Sequence, residues 1–192
     1  MNSKFSENKT YKNINFLLET SNISKEYYRC TFVNCNFEQL DLSEIWFEEC
    51  KFMACNLSRI QVKKANFQNV SFVDSKLLGI SFSDTNPLSF EIHVEKSVLD
   101  FSSFYQLDLK TSSFTDIQLH EVDFVETNLE GVQFENCDFL ASVFENTNFK
   151  KTDLSSSYNF VIDPEQNKMN QCKLSTGSLL SLLTKYNLDI ID

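Results

Sequence analysis

An apolar residue recurs at every fifth position of this chain, a period that belongs to neither an α-helix nor a straight β-strand. The first run is Phe32, Phe37, Leu42, Phe47, Phe52, Leu57, Val62, Phe67, Phe72, Leu77 and Phe82. The second is Val94, Leu99, Phe104, Leu109, Phe114, Leu119, Phe124, Leu129, Phe134, Phe139, Phe144, Phe149 and Leu154. Phe or Leu fills 22 of these 24 positions but only 40 of 192 residues overall, which excludes chance. The residue two before each centre is small or of medium size, as at Cys30, Ile45, Ala65, Val122 and Thr147. The residue just before the centre is often Asn or Asp, as at Asn36, Asp41, Asn56, Asp123 and Asn148.

Two inward positions separated by two residues make a short extended piece. The next inward position comes three residues later, where a straight strand would point it outward. The chain must therefore turn a corner in every repeat. With only 3 Gly and 2 Pro, it turns using ordinary residues. Coils that stack would pair their backbones at about 4.8 Å.

Stretches such as CTFVNCNFEQLDLSEIWF from Cys30 and VDFVETNLEGVQFENCDFLASVFENTNF from Val122 carry a family likeness. The sequence resembles the pentapeptide-repeat family, whose pattern is A(D/N)LXX with a central Leu or Phe. The resemblance implies an all-β solenoid, a right-handed quadrilateral β-helix over 27–174. In such a square coil residues 20 apart lie above one another, so Phe32, Phe52 and Phe72 form one ring column and Phe104, Phe124 and Phe144 another.

The phase breaks once. Phe82 to Leu99 spans three repeats plus two residues, so a two-residue insertion is expected near 83–91, around Pro87. It reads as a harmless bulge or as a loop that contacts a partner. Residues 1–26 are less regular and are expected to cap one end, with Tyr11, Phe16 and Ile23 as plugs. At the other end, 175–192 reads as a helix capped by Ser175 or Thr176, then a short strand. Leu179, Leu182, Leu183 and Tyr186 are expected to cover the last coil. The resemblance implies a tail-to-tail homodimer, for which Leu180, Leu188, Ile190 and Ile191 remain.

No chemistry is expected. All six cysteines, including Cys172, take the inward position two before a centre, and their spacing is not that of a zinc site. They are expected to be buried thiols. His93 and His120 fall on the solvent side of the register, and Gly79, Gly131 and Gly177 form no phosphate loop. Trp46 takes an Asn/Asp position, where packing or a contact role is expected. The chain is thus expected to have no catalytic residue, cofactor or metal, and to be a binding protein rather than an enzyme.

The formal net charge of −10 disfavours nucleic acid and anionic membrane as partners and permits a basic protein. The polar start of the chain has no signal-peptide pattern, and no run of about 20 apolar residues exists, so a cytoplasmic location is expected. Quinolone-resistance members of the family are acidic rods that bind DNA gyrase or topoisomerase IV, and the resemblance implies the same DNA mimicry here. The register gathers Asp41, Glu44, Asp84, Asp123, Glu126 and Glu145 on the side built on Leu42, interrupted by Lys63 and Lys64. The alternative is a structural or adaptor solenoid for another protein partner.

Overall fold

The computed structural model describes residues 5–18 and 23–189. Every strand pair is parallel, and partners lie one coil apart: Phe32 faces Phe52, and Phe52 faces Phe72. Strands β1 (Phe5–Glu7), β3 (Glu26–Tyr28), β5 (Trp46–Glu48) and β7 (Asn66–Gln68) make a 4-stranded sheet. A 7-stranded sheet holds β2 (Thr10–Lys12), β4 (Thr31–Val33), β6 (Lys51–Met53), β8 (Val70–Val73), β9 (Ile92–Glu95), β10 (Ser113–Thr115) and β11 (Phe134–Glu135). Two further sides are joined through single residues, such as Asn36 with Asn56 and Ser103 with Asp123. The result is a four-sided solenoid. Its sides are numbered in chain order by the centres Phe32, Phe37, Leu42 and Phe47.

The repeat pattern has a local cause. The Asn or Asp before the centre accepts a hydrogen bond from the amide two residues on, as Asp41 does from Ser43 at 2.9 Å and Asp123 from Val125 at 2.9 Å. The centre's carbonyl then accepts the amide three residues on, as Leu42 does from Ile45 at 3.2 Å and Phe124 from Thr127 at 3.1 Å. Between them sits a residue with positive φ, 60° at Glu44 and 56° at Glu126. This is a type II turn, whose third residue usually is Gly. Here Gln39, Lys64 and even Phe101 take a positive φ, as the scarcity of Gly requires.

The position two before the centre also has a physical rule. Its side chain faces inward and donates to the carbonyl of a centre in the coil before. Thr127 donates to Phe104 O at 2.9 Å, Thr147 to Phe124 O at 2.7 Å, and Cys50 Sγ contacts Tyr27 O at 3.3 Å. Hydroxyl and thiol groups such as these are therefore tolerated in the core, because they find acceptors there.

The centres pack as ring columns. Tyr11, Phe32, Phe52 and Phe72 stack at 5.0, 4.6 and 5.1 Å between centroids. Phe82, Phe104, Phe124 and Phe144 stack at 5.0, 5.3 and 5.4 Å. Rings on adjacent sides meet edge to face, as Phe32 does with Phe37 at 5.4 Å.

Two places depart from the expected boundaries, the first coil and the C-terminal segment, and the insertion between them lies where the phase break put it. Residues 5–16 do not sit apart from the coil but form its first turn: β1 pairs with β3, β2 with β4, and Phe16 stacks on Phe37. The register there is 21 residues, as between Asn13 and Asn34, so the extra residue falls between Phe16 and Tyr27 and masks the period. The expected insertion is present, with a spacing of 22 residues between Ser75 and Ser97. It is made of two short 3-10 turns, Phe82–Asp84 and Pro87–Ser89, and it turns Phe90 into the core while Leu88 stands 92% exposed.

The C-terminal segment is 3-10 helix over Thr176–Leu182 and Thr184–Tyr186, capped by Ser175, whose hydroxyl accepts the Ser178 amide. Three residues per turn do not bring four side chains onto one face as an α-helix would. Leu182 packs on the core, while Leu179, Leu183 and Tyr186 stay exposed instead of covering the last coil. Asn187–Asp189 form no strand, and Ile190 and Ile191 lie outside the described residues. No helix among the described residues is long and apolar enough to cross a membrane.

Candidate functional site

The third side presents the acids picked out from the sequence. Parallel bridges join Asp41 to Gln61, Ser81 to Ser103, Ser103 to Asp123 and Asp123 to Val143, which fixes one column along the rod. Glu44, Lys64, Asp84, Gln106 and Glu126 follow each other at or beside the corner, linked by bonds such as Lys64 N to Asp84 O at 2.7 Å. All six acids therefore share one side. They form two groups: Asp41 with Glu44 in one coil, and Asp123, Glu126 and Glu145 in two later coils. Lys63 and Lys64 lie between the groups, beside Asp84.

Part of this charge is engaged locally. Asp41 is held below the ordinary carboxylate range by hydrogen bonds from the Ser43 side chain and amide. Asp123 accepts from Val125 N and from Ser103 Oγ at 3.0 Å. Glu126 accepts from Gln106 Nε2 at 2.7 Å. Glu44, Asp84 and Glu145 are exposed. A rod with these groups can present carboxylates at coil spacing to a basic surface, but offers no enclosed reaction site there.

All six cysteines are unpaired thiols; five are buried, whereas Cys172 is half-buried because the tail covers the last coil only in part. Burial pushes Cys50 and Cys137 up to about 12 and Cys172 up to about 11. Such thiols are poor nucleophiles. Among the described residues no three His, Cys, Asp or Glu groups converge as a metal site. His93 and His120 face outward, but His120 is partly covered: its Nε2 lies 3.0 Å from Asp138, and its amide donates to Asp100 at 3.0 Å. Burial works to raise Asp138, yet contacts from His120, Asn159 and the Leu140 amide hold it below the usual range. This ladder ties three successive coils together.

At the C-terminal end Leu180 and Leu188 are exposed by 54% and 56%. They are the dimer candidates that the described residues include. One surface feature gains weight only in three dimensions. On the fourth side Trp46 points outward, 48% exposed, in the 4-stranded sheet that also carries Phe5 and Tyr28. A tryptophan at a position that favours Asn or Asp is its only signal in the sequence.

Five-residue repeats wound into stacked coils, paired in parallel from each coil to the next on four sides, define a repeat solenoid. Residues 25–93 match the sequence family described as a pentapeptide repeat region, and 117–155 match pentapeptide repeats in 8 copies. The chain belongs to the pentapeptide-repeat family. Its fold is similar to two structures of QnrB1, a plasmid-mediated fluoroquinolone resistance protein, both of trypsin-treated single-substitution variants. The first has 15% identity and a TM-score of 0.63, covering 97% of this chain and 100% of that one. The second has 15% identity and a TM-score of 0.64, covering 98% and 100%. HetL, a pentapeptide repeat protein involved in heterocyst differentiation regulation in the cyanobacterium Nostoc, aligns at 12% identity and a TM-score of 0.49, over 90% of this chain and 86% of that one. No curated protein sequence matches this chain significantly.

Proposed function

We propose that this protein is a non-catalytic, cytoplasmic binding rod that mimics duplex DNA and engages DNA gyrase or topoisomerase IV, protecting the enzyme against quinolones. The observation that carries the reading is the third side. There Asp41, Glu44, Asp84, Asp123, Glu126 and Glu145 align along a stiff rod whose net charge is −10. The fold-level likeness to a fluoroquinolone resistance protein supports the choice of partner. A basic groove that neutralises closely spaced phosphates also accepts a rigid row of carboxylates. Each exposed ion pair contributes only about 0–1 kcal/mol, so the effect is collective. A row of like charge also steers encounter, and salt screens it.

Replacing Asp123, Glu126 and Glu145 together by Asn or Gln is expected to leave the fold intact and to weaken gyrase binding several-fold at low salt. The difference shrinks as salt rises. Equal binding by the triple variant and the wild type removes this side from the interface.

The second reading is an adaptor solenoid for a different protein. Two observations favour it: Lys63 and Lys64 split the acidic row, and the insertion at 83–91 is a tight pair of 3-10 turns rather than a long loop. Absence of gyrase and topoisomerase IV binding at micromolar concentration and low salt selects this reading.

A further inference from the structure

Trp46 lies in a two-dimensional pattern. Across the 4-stranded sheet, Phe5 pairs with Glu26 and Glu26 with Trp46. In the next outward column, Glu7 pairs with Tyr28 and Tyr28 with Glu48. Rings and carboxylates therefore alternate both along each strand and across the strands. The 3-10 turn Pro87–Ser89 covers β7, where Asn66 Nδ2 donates to Ser89 Oγ, but Phe5 and Trp46 remain 51% and 48% exposed and with Tyr28 make a cluster of rings rather than scattered ones.

One cation already shows what this surface accepts. The Arg29 guanidinium lies 4.6 Å from the centroid of the Tyr28 ring, and its Nε donates to Glu49 at 2.7 Å. Ring and carboxylate hold it together. The Trp46 ring has no such guest from the described residues, and among these Glu7, Glu26 and Glu48 make no ion pair. The surface thus offers the best cation-binding ring of the aromatic residues, flanked by Glu26 and Glu48, which no described residue holds in an ion pair, while Glu7 lies within reach of the Arg29 charge.

We propose that the outward face of β1, β3 and β5 binds an extended, arginine-bearing segment of a partner protein. A guanidinium stacks flat on Trp46 and is bonded at its edge by Glu26 or Glu48, repeating the Arg29 arrangement. Arg suits this better than Lys, because its planar fork stacks and bonds at once. Same-side residues in an extended segment are about 6.8 Å apart, which matches the spacing of Trp46 and Glu48 along β5. A sugar also stacks on exposed rings, but it leaves the charges of Glu26 and Glu48 without compensation. This surface is on the fourth side, apart from the acidic third side, and does not depend on the gyrase reading.

Trp46 is the only tryptophan, so its emission reports on the site directly. Full-length protein is titrated with hexa-arginine, hexa-glutamate and cellohexaose. Hexa-arginine is expected to give a saturable change that the other two do not. The double variant Glu26→Gln/Glu48→Gln is expected to bind hexa-arginine about fivefold more weakly or worse. Trp46→Ala, followed by calorimetry, is expected to lose about as much. Asp123→Asn/Glu126→Gln/Glu145→Gln is expected to bind like wild type. The proposal is overturned by undiminished binding to the double variant, by an equal loss in the third-side triple variant, or by a response to cellohexaose alone.

Discussion

Phe124 stands between Phe104 and Phe144 at 5.3 and 5.4 Å and is 0% exposed. Truncating it removes both stacks and leaves a cavity that the stiff coils cannot close. Phe124→Ala is therefore expected to cost about 3–5 kcal/mol in a denaturant melt. A change below about 1 kcal/mol means that the ring is not in the core column. At this scale most of the inward set is legible in the sequence. The centres and the small residues before them repeat because the coil admits nothing else at those points. The corner residues are not legible individually. Lys64, Glu126 and Phe101 have no preference for positive φ; stacking against neighbouring coils imposes it. Trp46 stands out in the sequence without a role, since a sequence gives the column of a side chain and not what flanks it across the sheet.

Elements are readable where the period holds and not where it slips. One extra residue between Phe16 and Tyr27 is enough to hide the first coil, although Tyr11 and Phe16 continue the ring columns. The tail differs for another reason: its leucines fit helical spacing, but its geometry comes from its docking. Lys185 is anchored by Asp163 at 2.6 Å and by Glu165 at 2.6 Å, and Tyr186 donates to Glu165. The hydrogen bond from Lys185 is the main cause that holds both carboxyls below their ordinary range. Depressed carboxyl values mean that the tie is fully present above the ordinary range, about pH 4, and is lost as pH falls through the lowered values. Amide exchange or shifts at Leu183 and Tyr186 are expected to report loosening of the tail in acid before the coils unfold. In Lys185→Met the tail is expected to be loose at neutral pH as well. A wild-type tail that stays equally ordered as pH is lowered from 6 until the coils themselves unfold contradicts this account of its docking.

The whole molecule is a rod with two ends and four distinct sides. At the C-terminal end Leu179, Leu180, Leu183 and Leu188 are all exposed. We propose that a second copy of the chain covers these leucines. Full-length protein is expected to sediment as a dimer at tens of micromolar, and deletion of 187–192 is expected to weaken the association. A monomer at that concentration rules the arrangement out. The sides differ as sharply. The second holds the His120 ladder, the third the split acidic row, and the fourth the rings around Trp46. A repeat makes all four sides equally stiff, so function depends on which outward residues interrupt the pattern. That is why the fold is readable in the sequence and the partner is not: the inward half of each repeat is dictated by packing, and the outward half is unconstrained by it.

The claim that this rod replaces DNA in a type II topoisomerase is tested most directly by gyrase supercoiling in the presence of a quinolone. Supercoiling is followed as purified protein is added, at low and at raised salt. The account predicts that the wild type restores supercoiling in a concentration-dependent manner, that the third-side triple variant does so less well, and that added salt erodes the protection. Quinolone inhibition that is unchanged at every concentration of the wild-type protein contradicts it.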